Sequence, residues 1–391
     1  MKVALLTRAV YPLHGHGGLE RHTAGLKRAL ERAGCEVLVF TAPPHQPGRY
    51  EEEGFRFARY RTIGWPEGKG FVILDRDTNY LMWSVRAAKA LLSSGYTPDV
   101  VQADGGAAFG YAWARRDDAP PLVLHPHGME EFKTTPGKRA LYWPLRTAVR
   151  YAAKRAECVI APDASMETEV REILSTPRVR VLPNAIDLDE VDKTRQSSEA
   201  RASDTTLLLS VGRLEQNKGF VNLADALGSI KDTLPERWEW HIVGQGPDRE
   251  TIEIAAHDRG IADHVRFAGA VSDDALFELY DRADLFVHPT LFEGSSMVTL
   301  EAMARGIAVV GTRVGGIPDK IEDGESGLLV PPGDSEALGQ AIVTALADRA
   351  RLKAWGERGR HIVETRFSWT ARIEDQLALY QSLVDASQPS R

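Results

Sequence analysis

Cysteine is almost absent: the 391 residues hold only Cys35 and Cys158, at no C-x-x-C spacing. That excludes a disulfide framework and a thiolate metal site, and both thiols read as reduced core residues of a cytoplasmic protein. Long apolar runs are missing too; none approaches the ~18 residues that a membrane span needs. The opening MKVALLTRAVYPLHGHGG lacks the apolar core and small-residue cleavage site of a signal peptide. The expectation is a soluble chain, at most peripheral on a membrane. Nor is there a positive excess: 48 Lys and Arg stand against 55 Asp and Glu, a formal charge of −7. That argues against bulk nucleic-acid binding. What is present, 43% hydrophobic and 26% charged residues, suits a globular chain long enough for two domains.

The most informative stretch runs from Ala283 to Pro332. Asp284 to His288 is a short apolar run with β-formers, read as a buried strand. Pro289 to Met297 is a loop, and Ser295 or Ser296 can cap a helix from Val298 to Ala304. Gly306 ends that helix, and Ile307 to Gly311 is a second buried strand before a Gly-rich turn. Two carboxylates, Glu293 and Glu301, thus flank one helix start. A helix N-terminus presents unpaired N–H groups and partial positive charge, which suits phosphate. The small residues Gly294, Ser295 and Ser296 allow close backbone approach. A carboxylate accepts hydrogen bonds without donating any, so it suits sugar hydroxyls. Phosphate on amides with hydroxyls on carboxylates describes a nucleotide sugar; the plainer reading is two solvated acids.

Glu293-x7-Glu301, the following Ala-Met-Ala-x-Gly at 302–306, Val314-Gly-Gly-Ile-Pro318 and the run from Asp323 to Pro332 closely resemble retaining glycosyltransferases of family 4. The resemblance implies an α/β chain of the glycosyltransferase-B fold: two facing Rossmann-like domains with a cleft between them, the second holding the donor. It implies that Glu293 contacts the transferred sugar and Glu301 the nucleotide ribose. Many relatives carry Phe-Gly or similar where this chain has Ser295-Ser296, so donor preference transfers less readily. The implied donor loop is Gly294, Ser295, Ser296, Met297 and Val298.

Val3 to Leu6, a loop, a helix from Leu19 to Ala33 and a strand from Glu36 to Thr41 form a Rossmann-like opening. Gly15-His-Gly-Gly18 imitates a dinucleotide fingerprint. Glu20 stands where its third glycine belongs, and no acid follows the second strand, so an NAD site is not expected. Gly17 and Gly18 instead resemble the family's glycine loop, which faces the donor diphosphate. The order of residues 42–80 is not legible. Asp75-Arg-Asp77 imitates a metal-binding D-x-D, a pattern that recurs by chance at Asp187-Leu-Asp189; no metal or other cofactor is expected. His125-Pro-His-Gly128 ends a strand, and the resemblance gives His127 contact with the transferred sugar. Residues 138–155 interleave Lys and Arg with Trp143, Leu145 and Tyr151. That pattern describes a solvated helix face or a helix lying on acidic lipid, hence a cytoplasmic protein with a peripheral option on the inner face of the cell membrane.

The Ser-rich tract from Lys193 to Thr206 reads as a linker. The expected layout is an acceptor-side domain over 1–190, a linker over 191–206, a donor-side domain over 207–368, and a crossing helix over 369–391. Leu207 to Val211 begins the second βα series and leads to Arg213 and Lys218. Both match the family, and two cations at a strand's C-terminal edge suit a diphosphate leaving group. Gly244 and Gly246 after one strand, and Ala270 and Val271 after another, are placed near the nucleotide by the resemblance. The expected activity is retaining transfer of a sugar from a UDP-, GDP- or ADP-sugar to an acceptor hydroxyl, with His127, Arg213, Lys218 and Glu293 as its catalytic group. The alternatives are a nucleotide-sugar epimerase on the same fold and a non-catalytic nucleotide-sugar-binding protein.

Overall fold

The computed structural model describes residues 1–44, 50, 51, 53–60, 71–133, 136–193 and 204–387. The chain forms two compact units, one of Met1–Ala185 with the described residues from Arg372 on, the other of Ile186–Ala371.

The first unit is built on a seven-stranded sheet. Its strands are β1 (Lys2–Leu6), β2 (Glu36–Thr41), β3 (Phe55–Phe57), β4 (Val100–Asp104), β5 (Leu122–His125), β6 (Cys158–Ala161) and β7 (Val179–Val181). The spatial order is β3-β2-β1-β4-β5-β6-β7, and every pair is parallel. Unbroken apolar runs such as Val3–Leu6 and Val100–Val101 are fully buried. Helices covering both faces make that burial possible, as parallel sheets require. The direction of progression reverses between β1 and β4, which opens a crevice at their C-terminal ends. Gln102, buried in β4, accepts hydrogen bonds from Gln376 Nε2 at 3.1 Å and the Tyr380 hydroxyl at 2.7 Å. These bonds seat the last helix on the first unit.

Among the described residues of the region left unordered by sequence, β3 is followed by the helix Phe71–Ser93. Asp75 and Asp77 lie on it two residues apart and so point away from each other. Asp77 is fully buried, while Asp75 accepts from Asn79 Nδ2 at 3.0 Å. The pair does not converge on a common ion.

The second unit has a six-stranded sheet. It contains β8 (Thr206–Val211), β9 (Trp238–Val243), β10 (Val265–Gly269), β11 (Leu285–His288), β12 (Ala308–Thr312) and β13 (Gly327–Val330). The order β10-β9-β8-β11-β12-β13 puts the reversal between β8 and β11. Buried Trp240 donates to Ser210 Oγ at 3.1 Å, and Ser210 donates to the Val287 carbonyl at 2.8 Å. That chain of bonds satisfies the polar atoms beneath the crevice. Most of the tract read as a linker, residues 194–203, lies outside the described residues. Leu188–Asp192 is helical and belongs to the second unit. Asp192 takes both Arg360 Nη groups, at 2.8 and 2.7 Å.

Candidate active site

In the second unit the crevice is lined by two loops that dock on each other. After β8 the chain makes a single 3-10 turn, Gln216–Lys218, and Gly219 takes φ +68° to start the helix Phe220–Ile230. A Cβ there would sit 2.0 Å from the Pro289 carbonyl oxygen, so the close approach requires glycine. Leu291 N and Thr290 Oγ1 donate to the Asn217 carbonyl at 2.8 and 2.9 Å. The docking delivers Lys218 Nζ to Glu293 Oε2 at 2.8 Å. Gly315, φ +51°, seals the other side, since a Cβ would lie 2.3 Å from the Glu293 carbonyl oxygen. The Val314-Gly-Gly turn thus supports the carboxylate loop from below.

Glu293 meets a second partner, His288 at the end of β11, whose Nε2 lies 3.1 Å from Oε2. Burial desolvates the Glu293 carboxyl, but the Lys218 charge and the His288 contact outweigh that and hold it well below the usual carboxylate range. Desolvation lowers His288, against the pull of Glu293. Ser296 is the N-cap of the helix Met297–Ala304, accepting from Thr299 N at 3.3 Å and lying 3.3 Å from His288 Nε2. Ser295 accepts from buried Lys320 Nζ at 3.1 Å. Glu301, four per cent exposed, accepts from the buried Tyr280 hydroxyl at 3.1 Å. The plainer reading of Glu301 as a solvated acid fails on that burial.

Arg213, half exposed, has its guanidinium 3.1 Å from Glu215 Oε1. Gly244 and Gly246 pack against backbone: a Cβ on either would lie 1.9 and 2.2 Å from the Gly212 and Leu214 carbonyl oxygens, respectively. Close packing of these two loops therefore explains both glycines. Ala270 and Val271 follow β10, with Val271 half-buried against the core. Met297 is buried and Val298 half-buried in the first turn of the capped helix.

In the first unit the crevice holds histidines. His127 follows β5 at φ +54°, a backbone region that non-glycine residues rarely occupy and that tends to mark functional positions. Its Nε2 lies 3.0 Å from Asp104 Oδ1 at the end of β4. Asp104 also accepts from Thr23 Oγ1 at 2.8 Å. Burial opposes its ionisation, but His127 and these hydrogen bonds keep it below its ordinary value. The Tyr80 hydroxyl donates to the Asp104 carbonyl at 2.9 Å. Gly17 and Gly18 begin the helix Gly18–Arg32, where the Glu20 carboxylate occupies the space a Gly17 Cβ would take.

Of the basic residues in 138–155, Arg146 and Arg150 have their guanidinium carbons 5.4 and 5.2 Å from the Phe132 ring centroid. Arg150 also donates to the Ile173 carbonyl at 2.8 Å. Both are engaged within the unit, while Trp143 is 67% exposed. No helix among the described residues is long and apolar enough to cross a membrane.

The sequence reading missed His288, Tyr280, Lys320, Asp104, Thr23 and His22. Asp104 and His288 each end a parallel strand beside the reversal of sheet order, a position rule that could have singled them out. Tyr280 and Lys320 carry no local signal, because only folding brings them to their partners.

Comparison with known proteins agrees with this architecture. The profile described as Glycosyltransferase Family 4 matches residues 16–190, and that described as Glycosyl transferases group 1 matches 191–362. An uncharacterized glycosyltransferase of Methanocaldococcus jannaschii is 28% identical over 97% of this chain and 98% of its own length. A GDP-mannose-dependent alpha-(1-6)-phosphatidylinositol monomannoside mannosyltransferase of Mycolicibacterium smegmatis is 31% identical over 66% of this chain and 69% of its own. Among solved structures, sucrose-phosphate synthase from Thermosynechococcus elongatus superposes with a TM-score of 0.81 at 24% identity, covering 98% of this chain and 99% of that one. The chain belongs to the family 4 glycosyltransferases of the GT-B fold, enzymes of glycan biosynthesis.

Proposed function

We propose that the chain transfers a sugar, with retention of anomeric configuration, from a nucleoside-diphosphate sugar to an acceptor hydroxyl. The observation that carries this reading is the Lys218–Glu293–His288 cluster beside the Ser296-capped helix start. It joins a cation and backbone amides for phosphate to a desolvated carboxylate for sugar. The Mycolicibacterium relative, whose name specifies a GDP-mannose donor, supports a nucleotide sugar as the donor class.

In the proposed reaction the acceptor oxygen bonds to the anomeric carbon on the face from which the diphosphate departs. The anomeric carbon–oxygen bond breaks with its electron pair going to the diphosphate, which takes up the acceptor's proton. Lys218 and Arg213 neutralise the developing phosphate charge, helped by the amides of Ser295 to Val298. Glu293, ionised throughout, stabilises positive character at the anomeric carbon. His127, with Asp104 accepting its Nε2–H, presents Nδ1 to a sugar hydroxyl. Glu301, oriented by Tyr280, holds the ribose. Catalysis rests on positioning and preorganised charge, and no metal or cofactor takes part.

The test is incubation of the chain with UDP-, GDP- and ADP-sugars, with and without candidate acceptors, followed by NMR of the products. Retention at the anomeric carbon and undiminished turnover in excess EDTA are expected. An inverted product overturns the stereochemistry. Loss of turnover that Mg²⁺ or Mn²⁺ restores overturns metal independence. A new nucleotide sugar formed without acceptor makes the chain an epimerase.

A further inference from the structure

We propose that His22, His125 and His127 form a binding site for a transition-metal ion of the Zn²⁺ class, and that a bound ion shuts off the transferase. One ring nitrogen from each of the three lies within 4.8 Å of the others. His125, two per cent exposed, has neither ring nitrogen hydrogen-bonded among the described residues. Leaving a buried imidazole without a partner is costly, and a ligand that accepts its lone pair removes the cost.

The surroundings supply the rest of a metal centre. Imidazole nitrogen is a preferred donor for Zn²⁺ and its neighbours, and three histidines leave a fourth position open. Ligating histidines commonly donate their other N–H to a carboxylate, which fixes the tautomer and strengthens the donor. Asp104 stands in that relation to His127 through Nε2, leaving Nδ1 for an ion, and Thr23 holds Asp104 in turn. Entry is from the His127 side, where the side chain is 11% exposed. His125 and His127 now stack with centroids 3.8 Å apart, so capture needs the unbonded His125 ring to turn.

Zn²⁺ alone, titrated into the full chain by calorimetry at neutral pH, tests the site. One ion per chain is expected. His125→Gln should weaken binding at least ~100-fold, and Asp104→Asn by roughly 10- to 100-fold, the usual effect of losing an outer partner. No binding, or binding unchanged in His125→Gln, overturns the proposal. Should that variant fail to fold, Co²⁺ added to the unaltered chain decides. A strong visible band of four- or five-coordinate cobalt supports the site, and the weak octahedral spectrum overturns it. None of these readouts needs turnover, so they stand even if the proposed reaction is wrong. The shut-off is read separately: Zn²⁺ should abolish sugar transfer and EDTA restore it. Zn²⁺ bound with transfer undiminished overturns that half.

Discussion

The two units solve one problem with opposite chemistry. Each places its functional side chains at the C-terminal ends of parallel strands, where the sheet order reverses, between β1 and β4 in one unit and β8 and β11 in the other. In the first unit that edge carries three histidines around a single carboxylate, Asp104. In the second it carries an ion pair, a capped helix start and a second buried carboxylate. A fold fixes where a site can be; the residues at the strand ends decide what it can bind. Neutral imidazoles suit uncharged hydroxyls, whereas a cation with helix amides suits phosphate.

The sharpest way to break this contrast is to remove the cation of the second unit. Lys218→Ala leaves Glu293 as a buried charge without its strongest partner. Transfer should fall by about 10³-fold, as when one preorganised electrostatic group is lost. Stability should fall by about 3 kcal/mol. Activity assays with denaturant titration check both, and a variant within threefold of the unaltered rate sinks the assignment. Lys218→Arg keeps the charge but not the compact geometry, so it should recover stability more fully than rate.

Two single-site variants, one in each unit, come next. Glu293→Gln and His127→Ala should each lower kcat by on the order of 10²-fold, since both groups are assigned to the sugar during the reaction. Their calorimetry with nucleoside diphosphate alone should be unchanged. Lost diphosphate binding in His127→Ala would mean that the first unit reads phosphate after all.

Smaller again is the split between Glu301 and Tyr280. Glu301→Ala should raise the donor KM more than it lowers kcat, because ribose contacts do not change along the reaction. It should also lose binding of the nucleoside diphosphate. Tyr280→Phe removes only the hydroxyl that donates to Glu301 Oε2, so roughly a tenfold rise in KM is expected. Equal losses of kcat in both would place Glu301 at the sugar instead.

These residues also show what the sequence makes legible. The strands Leu285–His288 and Ala308–Thr312 and the helix Met297–Ala304 could be read almost to their ends, because buried parallel strands are unbroken apolar runs and Ser296 is a strong cap. The carboxylate loop was legible because Glu293, Glu301 and the glycines at 315 and 316 lie close together in the chain. The helix Phe71–Ser93 was not, since its apolar residues mix with Asp75, Arg76 and Asp77. Pairings such as Lys218 with Glu293, 75 residues apart, or Asp104 with His127 exist only once the sheet has formed. The glycines at 244 and 246 also pack tightly against the Gly212 and Leu214 carbonyls, a demand that only the folded loops reveal.

The last comparison sets two buried carboxylates against each other and touches turnover least. Glu293 is held low by Lys218, whereas Asp77, in the first unit, is fully buried and its oxygens make no hydrogen bond among the described residues. Arg76 Nε is 3.5 Å away on a half-exposed side chain. Desolvation therefore wins, and Asp77 is pushed up to about 6. In the unfolded chain its carboxyl titrates near ~3.9, so the folded state holds the proton more tightly. The sign follows: between pH 4 and 6 the unfolded state loses this proton first, and stability falls as pH rises through that window. The loss levels off above pH 6 at no more than about 3 kcal/mol. Glu293 has the opposite sign, giving stability at neutral pH that is lost progressively as pH falls below about 4. Asp77→Asn, which cannot ionise, should therefore gain on the unaltered chain as pH rises from 4 to 7. Denaturant titrations of both at each pH measure the difference. A difference that stays constant across the window would show that Asp77 is ionised at pH 4 in the folded chain, paired with Arg76 as Glu293 is with Lys218.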